Sequence, residues 1–541
     1  MVNLLILFFF YTLILISSLG FGFLLTSKKD KEISIGFIGL KGIFILILLS
    51  YLTNFFLKHN YFHNSLILFM GLFLFVFNFK IKNFLKNYKL ILILVLISFI
   101  GILVHKNHDD FFYYHFGYIF SLINFEKLVG VGNLEHGFRT PSSIFYINSL
   151  FFLPYIKYHF LHAGAVYFMG FASLYFIQKI IDLRNNNYNK FLIFISSFSF
   201  IFINTIFYRI AEHGTDRSAL ILIFVLIVVI IDRISNKKNL SFDQFKDYNE
   251  NILILFFLII SLKSFYLIYS LLFLYWIYKN KNYYFDKKFL IKILKNRITI
   301  LFIFGVILLF LTNFLNTGCL IYPASISCYE GFSWSIKIID VEKMKVWYEL
   351  WSKAGATPNY RVENIENYLS GFNWLGNWFE NYFFNKVSDF LLSIFVIIIF
   401  FIFFFFKKNK RKSNFKFLTL YLILLILFIQ WFVSYPALRY GGYTIVALII
   451  FVPICSYISQ NCNIKNFNKK VNLIIILSLI VFSVKNIDRI YDENKKYGYD
   501  ILKNPYYNLS DKAFFYDKKI KNLIESDSDK IFILKNNLFN K

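Results

Sequence analysis

Long runs of apolar residues, separated by short polar segments, dominate the chain. The runs 3–25, 33–57 and 298–315 are each long enough to cross a hydrocarbon layer that is ~30 Å thick. Their apolar residues are continuous and do not alternate with polar ones, which predicts helices and not the strands of a barrel. The pattern predicts an all-α membrane protein with about 12–14 transmembrane helices.

Interruptions of the apolar pattern predict how the chain is organised. The predicted segments are membrane helices 1–104, a first outer loop 105–140, membrane helices 141–315, a large outer segment 316–389, membrane helices 390–484 and a small outer tail 485–541. Within the second group of helices, we expect a half-helix at 141–154 and a second, short outer loop at 209–217. Residues 251–278 are expected to form two short helices that meet near the outer leaflet.

Basic residues fix the predicted orientation in the membrane. The chain has a formal net charge of +27, and this charge gathers in short loops such as 407–416, which holds six basic residues and no acid. Lysine and arginine accumulate in cytoplasmic loops, so these loops are predicted to face the cytoplasm. The N-terminus, both outer loops, the large outer segment and the tail then lie outside. The same distribution argues against a nucleic-acid partner, since it shows no basic-aromatic array of that type.

The first outer loop carries side chains that could do chemistry. Asp109 and Asp110 are followed closely by His115. A carboxylate beside a histidine could take a proton from an attacking hydroxyl, and the same side chains could also hold a divalent metal. The alternative is a solvated polar loop that caps helix ends.

The second outer loop contains Glu212, His213 and Asp216. These residues could belong to the same site as those of the first loop. Alternatively, Asp216 is an N-cap that opens the following helix.

Two cations stand at unusual places. Lys263 lies in the middle of an apolar stretch, where a charge is costly unless it faces a polar cavity or a partner. Arg439 lies at a predicted outer helix end, and arginine suits two-pronged binding of phosphate. Both residues could bind a lipid phosphate. The alternatives are a lysine that extends to the interface and an arginine that anchors its helix there.

Cys319 and Cys328 share the large outer segment and could form a disulfide in an oxidising compartment. The same segment holds most of the tryptophans. They are interpreted as an interfacial belt, although aromatic faces also stack on sugars.

Several motifs together resemble one family of bacterial membrane proteins related to the GT-C glycosyltransferases. In the first outer loop and just after it, they are D-x-x-x-Y-H at 110–115 and N-L-x-H followed by S-S-x-F at 133–145. An acid at Asp216 and a lysine at Lys263 come next. The last two are G-C-x-x-Y-P with a later Cys and Trp at 318–334, and P-x-x-R-[FY]-G at 436–441. The resemblance covers about 104–445. Gly137 and Pro141 depart from it, since the family often has a basic residue and Asn there, although Arg139 is close by.

The resemblance implies a GT-C-like membrane enzyme of the bacterial inner membrane, with its site facing the periplasm. Such an enzyme moves a sugar from a polyprenyl-phosphate carrier to a glycan or lipid acceptor during cell-envelope polysaccharide biosynthesis. The alternatives are an O-antigen-type polymerase and a flippase or transporter without chemistry.

The resemblance also assigns roles. It implies Asp110 as the base or a metal ligand and Asp216 as a second acid of the site. On this hypothesis His115 would assist Asp110, Asp216 would orient the acceptor or a divalent metal, and Lys263, Arg439 and Arg139 would bind the phosphate. Asp109, His136, Glu212 and His213 would supply polar contacts to the acceptor. The expected partners are the lipid-linked sugar donor and membrane lipids.

Overall fold

The structure, a computed structural model, describes residues 1–26, 34–78, 88–105, 110–185, 189–212, 214–235, 241–356, 362–407, 417–462, 466–507 and 509–535. The α-helices in these ranges are α1 (Val2–Phe23), α2 (Ile35–Asn54), α3 (Tyr61–Asn78), α4 (Tyr88–Ile102), α5 (Phe116–Asn124), α6 (Ser143–Ser149), α7 (Gly164–Asn185), α8 (Lys190–Ile206), α9 (Gly214–Ser235), α10 (Phe242–Leu262), α11 (Ser270–Lys279), α12 (Lys281–Tyr284), α13 (Lys287–Leu294), α14 (Arg297–Thr317), α15 (Ile338–Lys353), α16 (Ile365–Leu369), α17 (Leu375–Trp378), α18 (Ser388–Phe405), α19 (Leu418–Ser434), α20 (Gly442–Gln460), α21 (Phe467–Tyr497) and α22 (Ser510–Ser526). Two short strands, β1 (Leu128–Val129) and β2 (Phe532–Ile533), pair antiparallel.

Helices long and apolar enough to cross a membrane form a large part of the described chain. Nine segments meet that criterion within the described residues, and they contain α1, α2, α3, α7, α9, α14, α18, α20 and α21. Three shorter apolar helices, α4, α8 and α19, accompany them. The prediction of an all-α membrane protein is confirmed.

Helix α9 occupies the centre of the bundle. Its residues from Ala219 to Ile231 are buried throughout, and it packs against α7, α8 and α10. A helix that is apolar on all sides belongs in such an interior, because every face then meets another helix. The first turn of α9 places Asp216 at one end of the bundle, and its last turns place Asp232 at the other.

Small residues bring the first three helices close together. A Cβ atom added to Gly42 would lie 1.7 Å from the carbonyl oxygen of Ser18, and one added to Gly20 would lie 1.9 Å from that of Gly71. Backbones can approach this closely only where side chains are absent, which is a common device of membrane helix pairs.

The apolar stretch that contains Lys263 is interrupted at that residue. Helix α10 ends at Leu262, Lys263 is extended with φ −162° and ψ 128°, and a 3-10 turn, Ser264–Tyr269, leads into α11. The predicted break is confirmed, but α10 has 21 residues and is not short. It starts early because Ser241 and Gln244 form a capping box ahead of the apolar run.

Other predicted details differ. The expected half-helix at 141–154 is the seven-residue α6, and all seven residues are buried. The tail is not a separate appendage: α21 continues to Tyr497, and β2 pairs with β1 of the first outer loop. The reason is an apolar face on the tail, where Tyr516 and Ile520 are buried.

The three segments predicted to lie outside contact one another. The Asn133 side chain of the first outer loop donates to the Trp334 carbonyl at 2.8 Å, and the Ser333 hydroxyl of the large outer segment donates to the Asp529 carbonyl of the tail at 2.6 Å. These contacts place the first outer loop, the large outer segment and the tail at one end of the bundle. Which side of the membrane that end faces stays a prediction.

Candidate functional site

A cavity of about 540 Å³ opens at the end of the bundle that carries the outer loops. Its walls come from the first outer loop, the Cys319–Cys328 segment, α15, the break after α10 and the turn before α20. The charged side chains that line it are Asp110, Lys263, Lys345 and Arg439. The aromatic ones include Tyr114, Phe265, Tyr322, Trp347, Tyr348, Trp351, Tyr435 and Tyr440.

Four charged residues, which we call the ion cluster, lie at the floor of this cavity or directly beneath it: Asp110, Lys263 and Arg439 line the cavity, and Asp216 contacts the two cations from below. The Lys263 Nζ atom lies 2.8 Å from Oδ1 of Asp216, and Arg439 Nε donates to its Oδ2 at 3.3 Å. Arg439 Nη2 also lies 3.4 Å from Oδ2 of Asp110. The guanidinium group therefore bridges two carboxylates that are far apart in the sequence.

The members of the ion cluster stand where regular helix begins or ends. Asp110 precedes a π turn, Phe111–His115, and Lys263 is the extended residue after α10. Arg439 lies in a short 3-10 turn that is followed by Gly441 at φ +109°, a conformation that favours glycine. Asp216 lies in the first turn of α9, where a carboxylate is favoured by the helix dipole.

Aromatic rings support the two cations. Lys263 Nζ lies 4.8 Å from the ring centroid of Tyr440, and the guanidinium carbon of Arg439 lies 5.5 Å from that of Trp351. Tyr266 also donates to the backbone carbonyl of Arg439 at 3.2 Å. These contacts hold both cations at the cavity while leaving the side chain of Arg439 37% exposed.

Asp216 does not line the cavity. Its side chain is only 6% exposed and lies beneath Lys263 and Arg439, each of which takes one of its oxygens. A carboxylate in this position is a buried counter-ion that holds the two cations side by side.

His115 does not line the cavity either, contrary to the prediction that it converges with Asp110. Asp110 and Tyr114, four residues apart, share one face of the turn, and both reach the cavity. His115 is the next residue, points to another face and is buried against Phe145 at 5.0 Å.

Two further predicted residues are engaged away from the cavity. Glu212 is buried and pairs with Arg209, with Oε2 and Nη2 2.5 Å apart. Arg139 donates to the Gly132 carbonyl at 3.1 Å and to the Tyr322 hydroxyl at 3.4 Å. Its contact with Tyr322 places it behind the cavity wall.

His136 does line the cavity. Its Nδ1 atom shares a hydrogen bond with the Tyr113 hydroxyl at 2.8 Å. Burial, and then the nearby Arg139 guanidinium, lower the pKa of His136, so its ring is neutral at pH 7.

Asp109 and His213 lie outside the described residues. Within the described ranges, no group of three His, Cys, Asp or Glu side chains could hold a metal ion.

Cys319 and Cys328 form a disulfide, with their Cα atoms 3.9 Å apart. Residues 321–326, between them, supply one wall of the cavity. The Ser327 hydroxyl stabilises that loop by sharing its proton between the carbonyls of Ile321, at 2.9 Å, and Ala324, at 2.8 Å. The disulfide thus closes the loop that shapes the cavity.

Some lining residues were not singled out from the sequence. Tyr114 was noted only as a motif letter, and Tyr440 only as the neighbour of Arg439. Lys345 and Tyr348 carried no signal, because each is an ordinary residue of α15 until that helix folds over the cavity. Burial and the nearby Asp110 carboxylate raise the pKa of Tyr114, so its phenol stays protonated at neutral pH.

Comparison with known proteins gives a family but no activity. The sequence profile of a domain of unknown function, DUF8201, matches residues 1–446. The chain belongs to the DUF8201 family. Neither a curated protein nor a solved structure matches it. The matched range includes the whole ion cluster, and the C-terminal tail lies beyond it.

Proposed function

We propose that this DUF8201 protein is a GT-C-like integral-membrane glycosyltransferase. It takes a sugar from a polyprenyl-phosphate carrier and passes it to a hydroxyl of a cell-envelope glycan or lipid at the periplasmic face of a bacterial inner membrane. The observation that carries the proposal is the bridge made by Arg439 between Asp110 and Asp216 at the cavity floor. It puts a carboxylate suited to act as a base beside two cations suited to bind phosphate.

The cations are suited to a lipid phosphate. Lys263 and Arg439 lie side by side, and Asp216 below them balances one of their two charges. The lining adds Lys345, so cations outnumber carboxylates and an anion is favoured. Aromatic walls such as Trp347 and Tyr348 offer faces for a sugar ring.

The same geometry gives a reaction sequence. Phosphate oxygens arriving at Arg439 would compete with Asp110, whose contact is the longest of the cluster at 3.4 Å. Asp110 is then released to take the proton of the acceptor hydroxyl. The acceptor oxygen bonds to the anomeric carbon with inversion, as the bond from that carbon to the phosphate oxygen breaks. Lys263 and Arg439 stabilise the charge that develops on the departing lipid phosphate.

A binding experiment tests the phosphate site. Purified protein in lipid nanodiscs is mixed with a 55-carbon polyprenyl monophosphate, and binding is measured by native mass spectrometry. We expect Lys263→Gln and Arg439→Gln each to weaken binding by about 10- to 100-fold, the value of a charge-assisted hydrogen bond. Lys179→Gln is the matched control and should bind normally. Lys179 lies on α7 and pairs with Asp232 at the other end of α9.

The variant Arg439→Lys is the control for misfolding, because it keeps the charge and loses only the two-pronged geometry of the guanidinium group. It should keep the melting temperature of the wild type and still bind less tightly. Wild-type affinity in both glutamine variants would reject the proposal. Binding that depends on the cations, together with unchanged glycan products in cells expressing Asp110→Asn, would favour a flippase.

A further inference from the structure

The C-terminal tail reaches the segment that carries Asp110. Tyr516, in α22, is buried, and its hydroxyl shares its single proton between two backbone carbonyl oxygens, that of Phe112, at 3.0 Å, and that of Tyr113. Both carbonyls belong to the π turn Phe111–His115, which begins directly after Asp110. A single side chain of the tail therefore bonds the main chain two and three residues from the proposed base.

The ring of Tyr516 is fitted closely to the same region. A Cβ atom added to Gly117 would come within 2.3 Å of that ring, so a residue without a side chain is needed there. On another side the ring stacks on Phe138, with centroids 6.3 Å apart. These contacts fix where the hydroxyl of Tyr516 points.

Other tail residues attach to the same loop. Lys519 forms an ion pair with Glu135, the neighbour of the cavity residue His136. Farther along the tail, β2 pairs with β1 of that loop, just after the Asp529 carbonyl accepts from the Ser333 hydroxyl of the large outer segment at 2.6 Å. The tail is thus joined to the first outer loop at several points along its length.

We infer that Tyr516 is a positioning residue that holds Asp110 at the cavity. A π turn is rare and has less regular backbone bonding than an α-helix, so donors from outside the turn help to maintain it. In an α-helical register Asp110 and Tyr114 would be rotated relative to the cavity. The part of the inference that concerns the base rests on the proposed function; the part that concerns the backbone does not.

The variant Tyr516→Phe removes the hydroxyl, and with it the hydrogen bond that the two carbonyls share, and keeps the ring. We expect amide hydrogen exchange in 111–118 to become about tenfold faster, the effect of losing a hydrogen bond of ordinary strength. In a transfer assay with a polyprenyl-phosphate sugar, kcat should fall by a similar factor while KM for the lipid donor is unchanged, because the cations lie on other elements. Tyr506→Phe is the matched control, since that tail hydroxyl donates to the Asn3 carbonyl at 3.5 Å instead.

The claim about the backbone and the claim about the base can be tested separately. If exchange in 111–118 is the same in Tyr516→Phe and Tyr506→Phe, the inference is wrong. An increase in KM without a fall in kcat would also overturn it, since that would mean that Tyr516 acts on donor binding. If the wild type transfers no sugar, the proposed function fails, and faster exchange in Tyr516→Phe would still support the positioning of the segment.

Discussion

The two ends of α9 each bury an aspartate beside a lysine, yet the surroundings differ in kind. Asp216 pairs with Lys263 at 2.8 Å and Asp232 pairs with Lys179 at 2.6 Å. The two carboxylates are separated by about 24 Å along the helix. Asp232 also accepts from the Tyr248 hydroxyl at 2.7 Å.

Each pair borders a cavity, and the two cavities have opposite charge. The one near Asp232 measures about 340 Å³ and is lined by Asp182, Asp232, Asp247 and Glu250 against Lys41 and Lys179. Acids therefore predominate there, whereas cations predominate above Asp216.

The residues of the acidic cavity lie mainly on the regular helices α7, α9 and α10, while the ion cluster stands where helices begin or end. Buried charge alone thus does not mark a site that suits a lipid phosphate: the sign of the charge and the breaks in the helices distinguish the two ends.

The largest difference between the two ends should appear in catalysis. Asp110→Asn keeps the shape of the side chain and removes the base, so sugar transfer should fall by about 10²- to 10⁴-fold. The readout is glycan product in cells with protein level checked, or transfer by purified protein. Asp247→Asn, which alters the acidic cavity, is the control and should be fully active. Full activity of Asp110→Asn would exclude it as the base.

A second test compares the two buried aspartates directly. Asp216→Asn and Asp232→Asn each remove the buried carboxylate that pairs with a partly buried lysine, and we expect each to lower the free energy of unfolding by about 3 kcal/mol. A polyprenyl monophosphate should restore stability to Asp216→Asn, because the phosphate replaces the lost counter-ion beside Lys263 and Arg439. It should not restore Asp232→Asn. Melting temperatures with and without the lipid measure this, and equal rescue of both variants would contradict the distinction.

The disulfide offers a smaller effect at the same end of the molecule. Replacing Cys319 and Cys328 together by alanine should lower the free energy of unfolding by about 2–3 kcal/mol, the value for closing a loop of this size. Binding of the polyprenyl monophosphate should weaken as well, because residues 321–326 form a wall of the cavity. Cys462→Ala, at the opposite end of the bundle, is the control. Unchanged lipid binding in the double variant would mean that this wall does not contribute to the site.

Much of the fold could be predicted because continuous hydropathy is a local property. The apolar run predicted at 298–315 is α14, Arg297–Thr317, and a single lysine in an apolar stretch was enough to predict the break at Lys263. The tail could not be placed in this way. Its attachment depends on Tyr516, whose partners lie more than 400 residues away.

The candidate site was predictable in its residues more than in their roles. Lys263 was found because a charge is rare within an apolar run, Asp110 because a histidine follows it closely in the first outer loop, and Arg439 because it lies at a predicted outer helix end. The position of Asp216 beneath two cations depends on partners 47 and 223 residues away, which no local pattern records. The wrong placement of His115 has a different cause: Tyr114, four residues after Asp110, shares its face, and the next residue, His115, therefore points away from the cavity.

The smallest expected effect is a pH dependence at the mouth of the cavity. Because burial and Arg139 lower the pKa of His136, the unfolded chain binds a proton there before the folded protein does as the pH falls. Stability that is present above the unfolded value of about 6.5 is therefore lost as the pH falls toward the lower folded value. His136 is half-buried, so solvent screening keeps the effect small, about 1–2 °C in melting temperature between pH 7.5 and pH 5.

The variant His136→Gln should remove that part of the pH dependence. Tyr113→Phe should retain it, because it deletes the hydrogen-bond partner and leaves the titrating ring in place. An unchanged pH profile in His136→Gln would mean that the acid sensitivity of this end of the molecule comes from other groups.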